Sequence, residues 1–205
     1  FETFPIFVAL YSERIDSIEM LHYRGANLEQ EDEYGRTVMF AALEKGDLLA
    51  AQMLQKLGAS ITPRESNGVT AFHYGVLSGR ADIVEWVMSE GVDVNQAAND
   101  NWNVIDSIFM LEMEEVDPQI GELIPRAGLS SKTRSEEGYS LLDWAISYEH
   151  DDLALKLLVQ GYTPYEVIEG TSLVDWAVDS SPAVANAILQ LLIDDASGKQ
   201  PYHDS

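Results

Sequence analysis

The sequence repeats itself about every 33 residues, and that period narrows the available folds more than any other feature. Gly25, Gly58 and Gly91 are 33 residues apart, as are Gly35 and Gly68, and Gly46 and Gly79. Gly128 and Gly161 carry the same spacing into the second half. The residues between them rhyme as well. Glu33-Tyr-Gly-Arg-Thr-Val-Met-Phe-Ala-Ala42 aligns with Ser66-Asn-Gly-Val-Thr-Ala-Phe-His-Tyr-Gly75. Both align with Glu136-Glu-Gly-Tyr-Ser-Leu-Leu-Asp-Trp-Ala145 and Ile168-Glu-Gly-Thr-Ser-Leu-Val-Asp-Trp-Ala177. A period of this length marks stacked supersecondary units, each unable to bury its own apolar face.

Within a unit the order is turn, helix, short break, helix. The turn carries glycine, and a helix N-cap follows it: Thr37, Thr70, Asn103, Ser140 and Ser172. Their side-chain oxygens suit the unpaired N–H groups of a first helical turn. Asp106, Asp143 and Asp175 stand three residues later, as in a capping box. Small residues follow (Ala41, Ala42, Gly75, Ala145, Ala177), which lets helices pack closely. The second helix has an apolar stripe: Leu49, Met53, Leu54 and Leu57; Ile83, Val84, Val87 and Met88; Leu153, Leu157 and Leu158. It is expected to end at a glycine with positive φ: Gly25, Gly58, Gly91, Gly128 or Gly161. Asn103 and Ser140 are 37 residues apart, and the surplus lies near Glu112–Pro118. It is read as one extra turn on the inner helix, with Asp117 and Pro118 as N-cap and first residue of the outer helix. Ser181-Pro182 reads as the same device.

The stretch Gly68-Val-Thr-Ala-Phe-His-Tyr-Gly75, then Gly79, Ile83-Val84 and Gly91-Val-Asp-Val-Asn95, resembles the ankyrin repeat family. The resemblance implies an all-α, ankyrin-type helical repeat solenoid of about six repeats with short protruding turns. It implies a single array over 1–196, with units at 1–30, 31–63, 64–96, 97–133, 134–166 and 167–196, and a frayed tail at 197–205. The first unit lacks its opening turn, and the last ends in Asp194-Asp195, as a polar cap would. In such proteins the turns and inner helices line a concave binding face. The resemblance also makes His73 a structural bridge to the neighbouring turn.

Charge and composition narrow the function. Twelve Lys and Arg against 35 Asp and Glu leave a net charge of −23, so nucleic acid and anionic membrane are disfavoured as partners. A basic protein partner is favoured. There are no cysteines, which removes disulfides, thiolate metal sites and Cys nucleophiles and suits the cytoplasm. No apolar run reaches the ~20 residues that span a bilayer. The chain begins at Phe1 rather than Met, which leaves a removed leader open. The free protein is expected to be a monomer.

Catalytic chemistry finds little support. No phosphate loop, nucleophile elbow, calcium loop or His-x-x-x-His spacing occurs. His150 beside Asp151 and Asp152 reads as a helix start, not a metal site, and His22 as solvent-facing. Asp143-Trp144 and Asp175-Trp176 read as helix-start acids and packing rings. No catalytic residue, metal or cofactor is therefore expected. The candidate partner-binding residues are those placed on fingers and inner helices. In the first three units these are Glu33, Tyr34, Arg36, Asn67 and Leu77. Further along come Asp100, Trp102, Met110, Leu111, Glu136, Glu137, Tyr139 and Tyr148. Trp102 reads as an aromatic anchor beside Asp100 and in front of Met110 and Leu111. The leading expectation is a non-catalytic binder, possible as an inhibitor or immunity protein of a toxin or enzyme. The alternatives are a scaffold or effector-targeting domain of a larger protein, and an enzyme with a carboxylate site in the groove.

Overall fold

A computed structural model of the chain describes residues 4–62, 68–111, 116–162, 167–168, 171–172, 178 and 181–196. The chain divides into two compact units, Phe1–Ile120 and Gly121–Ser205. Each is built from antiparallel helix pairs, as the 33-residue period requires. Apart from one pair of two-residue strands, the described regular structure is helical.

The first unit contains α1 (Pro5–Tyr11), α2 (Ile15–Tyr23), α3 (Val38–Glu44), α4 (Leu48–Lys56), α5 (Ala71–Leu77), α6 (Ala81–Ser89) and α7 (Val104–Phe109). The inner helices α1, α3, α5 and α7 pack on one another in that order, and α2, α4 and α6 back them. The outer helices begin at residues 15, 48 and 81, so the period is kept to the residue. Seven to nine residues are too few for a stable isolated helix, so burial must hold them. Ile18, Leu54, Ile83, Val84 and Val87 are all but fully buried. Ala41, Ala42 and Gly75 sit where helices meet, and a Cβ on Gly75 would lie 3.5 Å from Val87.

The ends of the helices follow the expected chemistry. Gly58 has φ +95°, its N–H donates to Gln55, and Ala59 N–H reaches back 2.9 Å to Leu54 O. That wrapping needs a left-handed residue, which only glycine takes at no cost. Asn103 with Asp106, and Ser140 with Asp143, form reciprocal capping boxes. Asp143 accepts from the Ser140 N–H at 2.6 Å and from its hydroxyl at 2.6 Å. Thr70 pairs in the same way with His73, whose Nδ1 accepts from the Thr70 backbone N–H at 3.2 Å. Thr37 departs from the pattern. Its residue at the third helical position is Phe40, and its hydroxyl is buried with no hydrogen-bond partner among the described residues.

α8 (Gln119–Arg126) runs across the boundary between the units. The second unit continues with α9 (Leu141–Ser147), α10 (Asp151–Val159), β1 (Val167–Ile168), β2 (Thr171–Ser172) and α11 (Pro182–Ala196). β1 and β2 pair antiparallel, Val167 opposite Ser172 and Ile168 opposite Thr171. α9, α10 and α11 pack in sequence. At the start of α11 Ser181 accepts from Val184 N–H at 3.4 Å and donates to Asp151 at 2.7 Å. Gly121 is squeezed against Trp144 and Leu153; a Cβ there would come within 2.4 Å of Leu153 Cδ2.

Three sequence expectations are corrected. The inner helix of the fourth repeat is not a turn longer: α7 has six residues and closes at Met110, whose N–H reaches Asp106 O. Asp117 accepts from Gln119 N–H at 3.0 Å, as an N-cap side chain does, and its own N–H bonds Gly79 O, so the expected cap at Asp117 is present ahead of α8. Leu49 is 69% exposed, while Ala50, Ala51 and Leu54 form the buried side of α4. His22 is half-buried, with Nδ1 enclosed and Tyr23 packed on its ring at 5.8 Å. The strand pair was not expected. Asn67, Glu112–Glu115, Glu169, Asp175, Trp176 and the tail after 196 lie outside the described residues.

Leu54 and Leu49 share one helix and provide a controlled comparison. Leu54→Ala should cost about 2–5 kcal/mol and Leu49→Ala within about 0.5 kcal/mol, measured by urea unfolding of the full chain. Gly121→Ala, a gain of one methyl group, should destabilise by about 1–3 kcal/mol through overpacking.

Candidate functional site

The inner helices of the first unit end in register. Tyr11, Glu44 and Leu77 are the last residues of α1, α3 and α5, and Met110 follows α7; they are spaced 33 apart. Because these helices pack in order, the four side chains form a row across the helix ends. Tyr11 and Met110 are exposed and Leu77 is half-buried. Leu111 beside them is half-buried too. Sequence reasoning missed Tyr11, because the first repeat lacks its opening turn. Counting 33 back from Glu44 would have found it.

The fingers are five-residue loops closed by one repeated bond. Asp32 N–H donates to Arg36 O at 2.9 Å, Ala98 to Trp102 at 2.7 Å, and Ser135 to Tyr139 at 2.7 Å. Tyr34, at the tip of the first described finger, is 67% exposed, with Glu33 exposed beside it. Asp100 is exposed at the tip of another, in a left-handed conformation at φ +59°.

Arg36 is occupied by its own protein. It forks onto Asp32 at 2.9 and 2.7 Å, pairs with Glu44, reaches the Tyr11 hydroxyl at 3.3 Å, and lies 4.9 Å over the Tyr34 ring. Burial opposes ionisation of Asp32, but bonds from the Arg36 side chain and backbone outweigh it and hold the carboxyl below its ordinary range. Arg36 is correspondingly held well above the ordinary arginine value. Lys45 is likewise engaged, with Glu13 at 3.1 Å. The cations on this face are neutralised internally, and Glu33 and Asp100 remain as exposed acids at the rim. Arg36 is therefore a brace that sets Tyr11, Tyr34 and Glu44 in place.

Trp102 is half-buried, and its ring stacks on His73 at 5.2 Å and 19°. His73 in turn caps α5 through Thr70. The tryptophan thus ties one finger to the preceding helix pair and is not a free anchor. In the second unit Glu136 and Glu137 are exposed at a finger tip, Tyr139 is half-buried where that finger closes, and Tyr148 packs at 5.4 Å against Trp144.

Asp143, which resembles a catalytic acid, caps a helix. Asp143 is 4% exposed and spends its carboxylate on Ser140. His150 precedes α10 and lies 5.0 Å from the Trp144 ring; burial pushes its imidazole below the ordinary histidine range. Asp151 accepts from Ser181. Among the described residues no three His, Asp or Glu side chains group as a metal site, and no helix is long and apolar enough to cross a membrane.

Ankyrin repeats, in three copies, match residues 6–98. Palmitoyltransferase AKR1 of Candida glabrata is 31% identical over 75 residues, 37% of this chain and 10% of that protein. Nuclear factor NF-kappa-B p105 subunit of Gallus gallus is 24% identical over 164 residues, 78% of this chain and 16% of that protein. Protein phosphatase 1 regulatory subunit 27 of Mus musculus is 29% identical over 101 residues, 49% of this chain and 60% of that protein. The chain spans about a tenth of the palmitoyltransferases it matches.

Two measurements follow. Trp102→Ala should lower the melting temperature, since it strips the ring from His73; an unchanged melt would return Trp102 to the role of free anchor. For His150 the sign is set by its depressed value: the neutral ring is favoured on folding, so its contribution is full above about pH 6.5 and fades as pH falls. Stability of the wild type should drop between about pH 7 and 5 more than that of His150→Gln. Asp32 adds a second loss below about pH 4, absent in Asp32→Asn.

Proposed function

We propose that this chain, whose residues 6–98 match ankyrin repeats, is a non-catalytic module that holds a basic protein partner. Ankyrin repeats are protein–protein interaction modules, and this reading adds the kind of partner and the surface. The observation that carries it is the row at the helix ends of the first unit: exposed Tyr11 and Met110 beside Leu77, under an exposed Tyr34, with Glu33 and Asp100 at the rim. Aromatic and methionine anchors with charged surroundings have the layout of a binding hot spot. Arg36 and Lys45 are both committed to local acids, so the face offers a partner carboxylates rather than cations. Glu136, Glu137, Tyr139 and Tyr148 offer the same residue types in the second unit. The net charge of −23 would speed association with a basic surface and make it sensitive to salt. Inhibition of a basic toxin or enzyme, as an immunity protein would do it, is the most specific form of this reading.

The test is capture from the source cell with wild-type and doubly substituted Tyr34→Ala, Met110→Ala protein. A stoichiometric basic protein should be retained at about 0.05 M salt, reduced at about 0.3 M, and weakened at least tenfold by the double substitution, with melting unchanged. A partner that is acidic, or equally retained by the variant, would refute the proposal. Asp143→Asn should change stability and not binding.

A further inference from the structure

A second face of the first unit carries an apolar row at its surface. The outer helices α2, α4 and α6 are nine residues each and in register, so their sixth positions coincide: Met20, Met53 and Trp86. Met20 is 49% exposed, and Met53 and Trp86 are half-buried. Leu49 lies one turn before Met53 on the same surface. α2 packs beside α4, and Gln55 of α4 bonds Glu90 just past α6, so the row is continuous. Packing does not demand it: the sixth position of α10 is Lys156, an exposed ion-pair partner of Glu122. The buried positions, Ile18, Leu54, Ile83 and Val87, lie on other faces of these helices.

The charges around the row select its occupant. Asp16 and Glu19 on α2, and Glu85 on α6, make no ion pair among the described residues. Asp82 is paired with Arg80 at 2.7 Å, and Lys56 is the cation on α4. A second copy of this chain would bring the same acids against these, and an anionic membrane would be repelled. Packed helices stand about 8–10 Å apart, while a helix advances about 10.5 Å in seven residues. A helix lying across α2, α4 and α6 would therefore meet one sixth-position side chain about every seven residues.

We propose that this face docks a basic amphipathic helix of a partner protein, with apolar residues at heptad-like spacing on Met20, Met53 and Trp86, and Lys or Arg between them facing Asp16, Glu19 and Glu85. Methionine surfaces adapt to such helices. The site is independent of the row at the inner helix ends and stands or falls apart from it.

The test uses a synthetic helical peptide with Leu at i, i+7 and i+14 and Lys on the flanks, and a scrambled peptide of the same composition. Binding to the full chain is followed by fluorescence anisotropy. The patterned peptide should bind, the scrambled one at least tenfold more weakly. Met20→Ser with Met53→Ser should weaken binding at least tenfold, while Tyr34→Ala with Met110→Ala leaves it unchanged. Lys56→Glu, which keeps the apolar row and adds an acid, should tighten it. Equal binding of both peptides, no binding, or loss in the Tyr34→Ala, Met110→Ala variant would each overturn the proposal. So would sedimentation showing a dimer that Met53→Ser disrupts, because the face would then belong to a second copy. Should Met20→Ser with Met53→Ser lower the melting temperature, Leu49→Ser, on a 69% exposed residue, replaces it with the same expected loss.

Discussion

Every described helix of the first unit has nine residues or fewer, and that brevity governs the rest of the structure. A helix of this length gains too few internal hydrogen bonds to offset its own ordering. It persists only where neighbours on either side bury its apolar positions. Leu54 and Val87 supply that burial at one equivalent point of successive pairs, and Ile18, Ala51 and Val84 at another. The period of 33 is the spacing at which one pair can present the same faces to the next.

The entrances to the inner helices show how much variety this constraint allows. Asp106 with Asn103, Asp143 with Ser140, and His73 with Thr70 solve one problem with two chemistries. Each returns a side-chain acceptor to the N-cap N–H and leaves the finger fixed to its helix. The acids were legible from spacing alone. That His73 would also carry Trp102 on its ring was not, because the contact crosses from one finger to the preceding helix pair.

Repeat register and core were legible because they rest on local periodicity, and glycines at Gly25, Gly58 and Gly91 marked the helix ends. What the sequence concealed depended on neighbours. Leu49 matches an apolar stripe as well as Leu54 does, yet α4 buries Ala50, Ala51 and Leu54 and leaves Leu49 69% exposed. Arg36 reads as an exposed binding residue until Asp32, Glu44 and Tyr11 are seen to converge on it. The spacing showed that the fourth repeat has a surplus but not where it lies, and α7 closes at Phe109. The candidate site was thus readable as residue types, and not as which of them the fold had already used.

The buried hydroxyl of Thr37 shows a different bargain at one repeat. Where its counterparts meet a histidine or an aspartate, it faces Phe40, whose ring stacks on Tyr74 at 5.5 Å. That repeat gave up a polar latch for an aromatic contact with the next pair. Its turn can therefore drift in sequence more freely than the others, while Phe40 and Tyr74 must change together. A lineage of this chain would record the exchange as covariation between residues 34 positions apart.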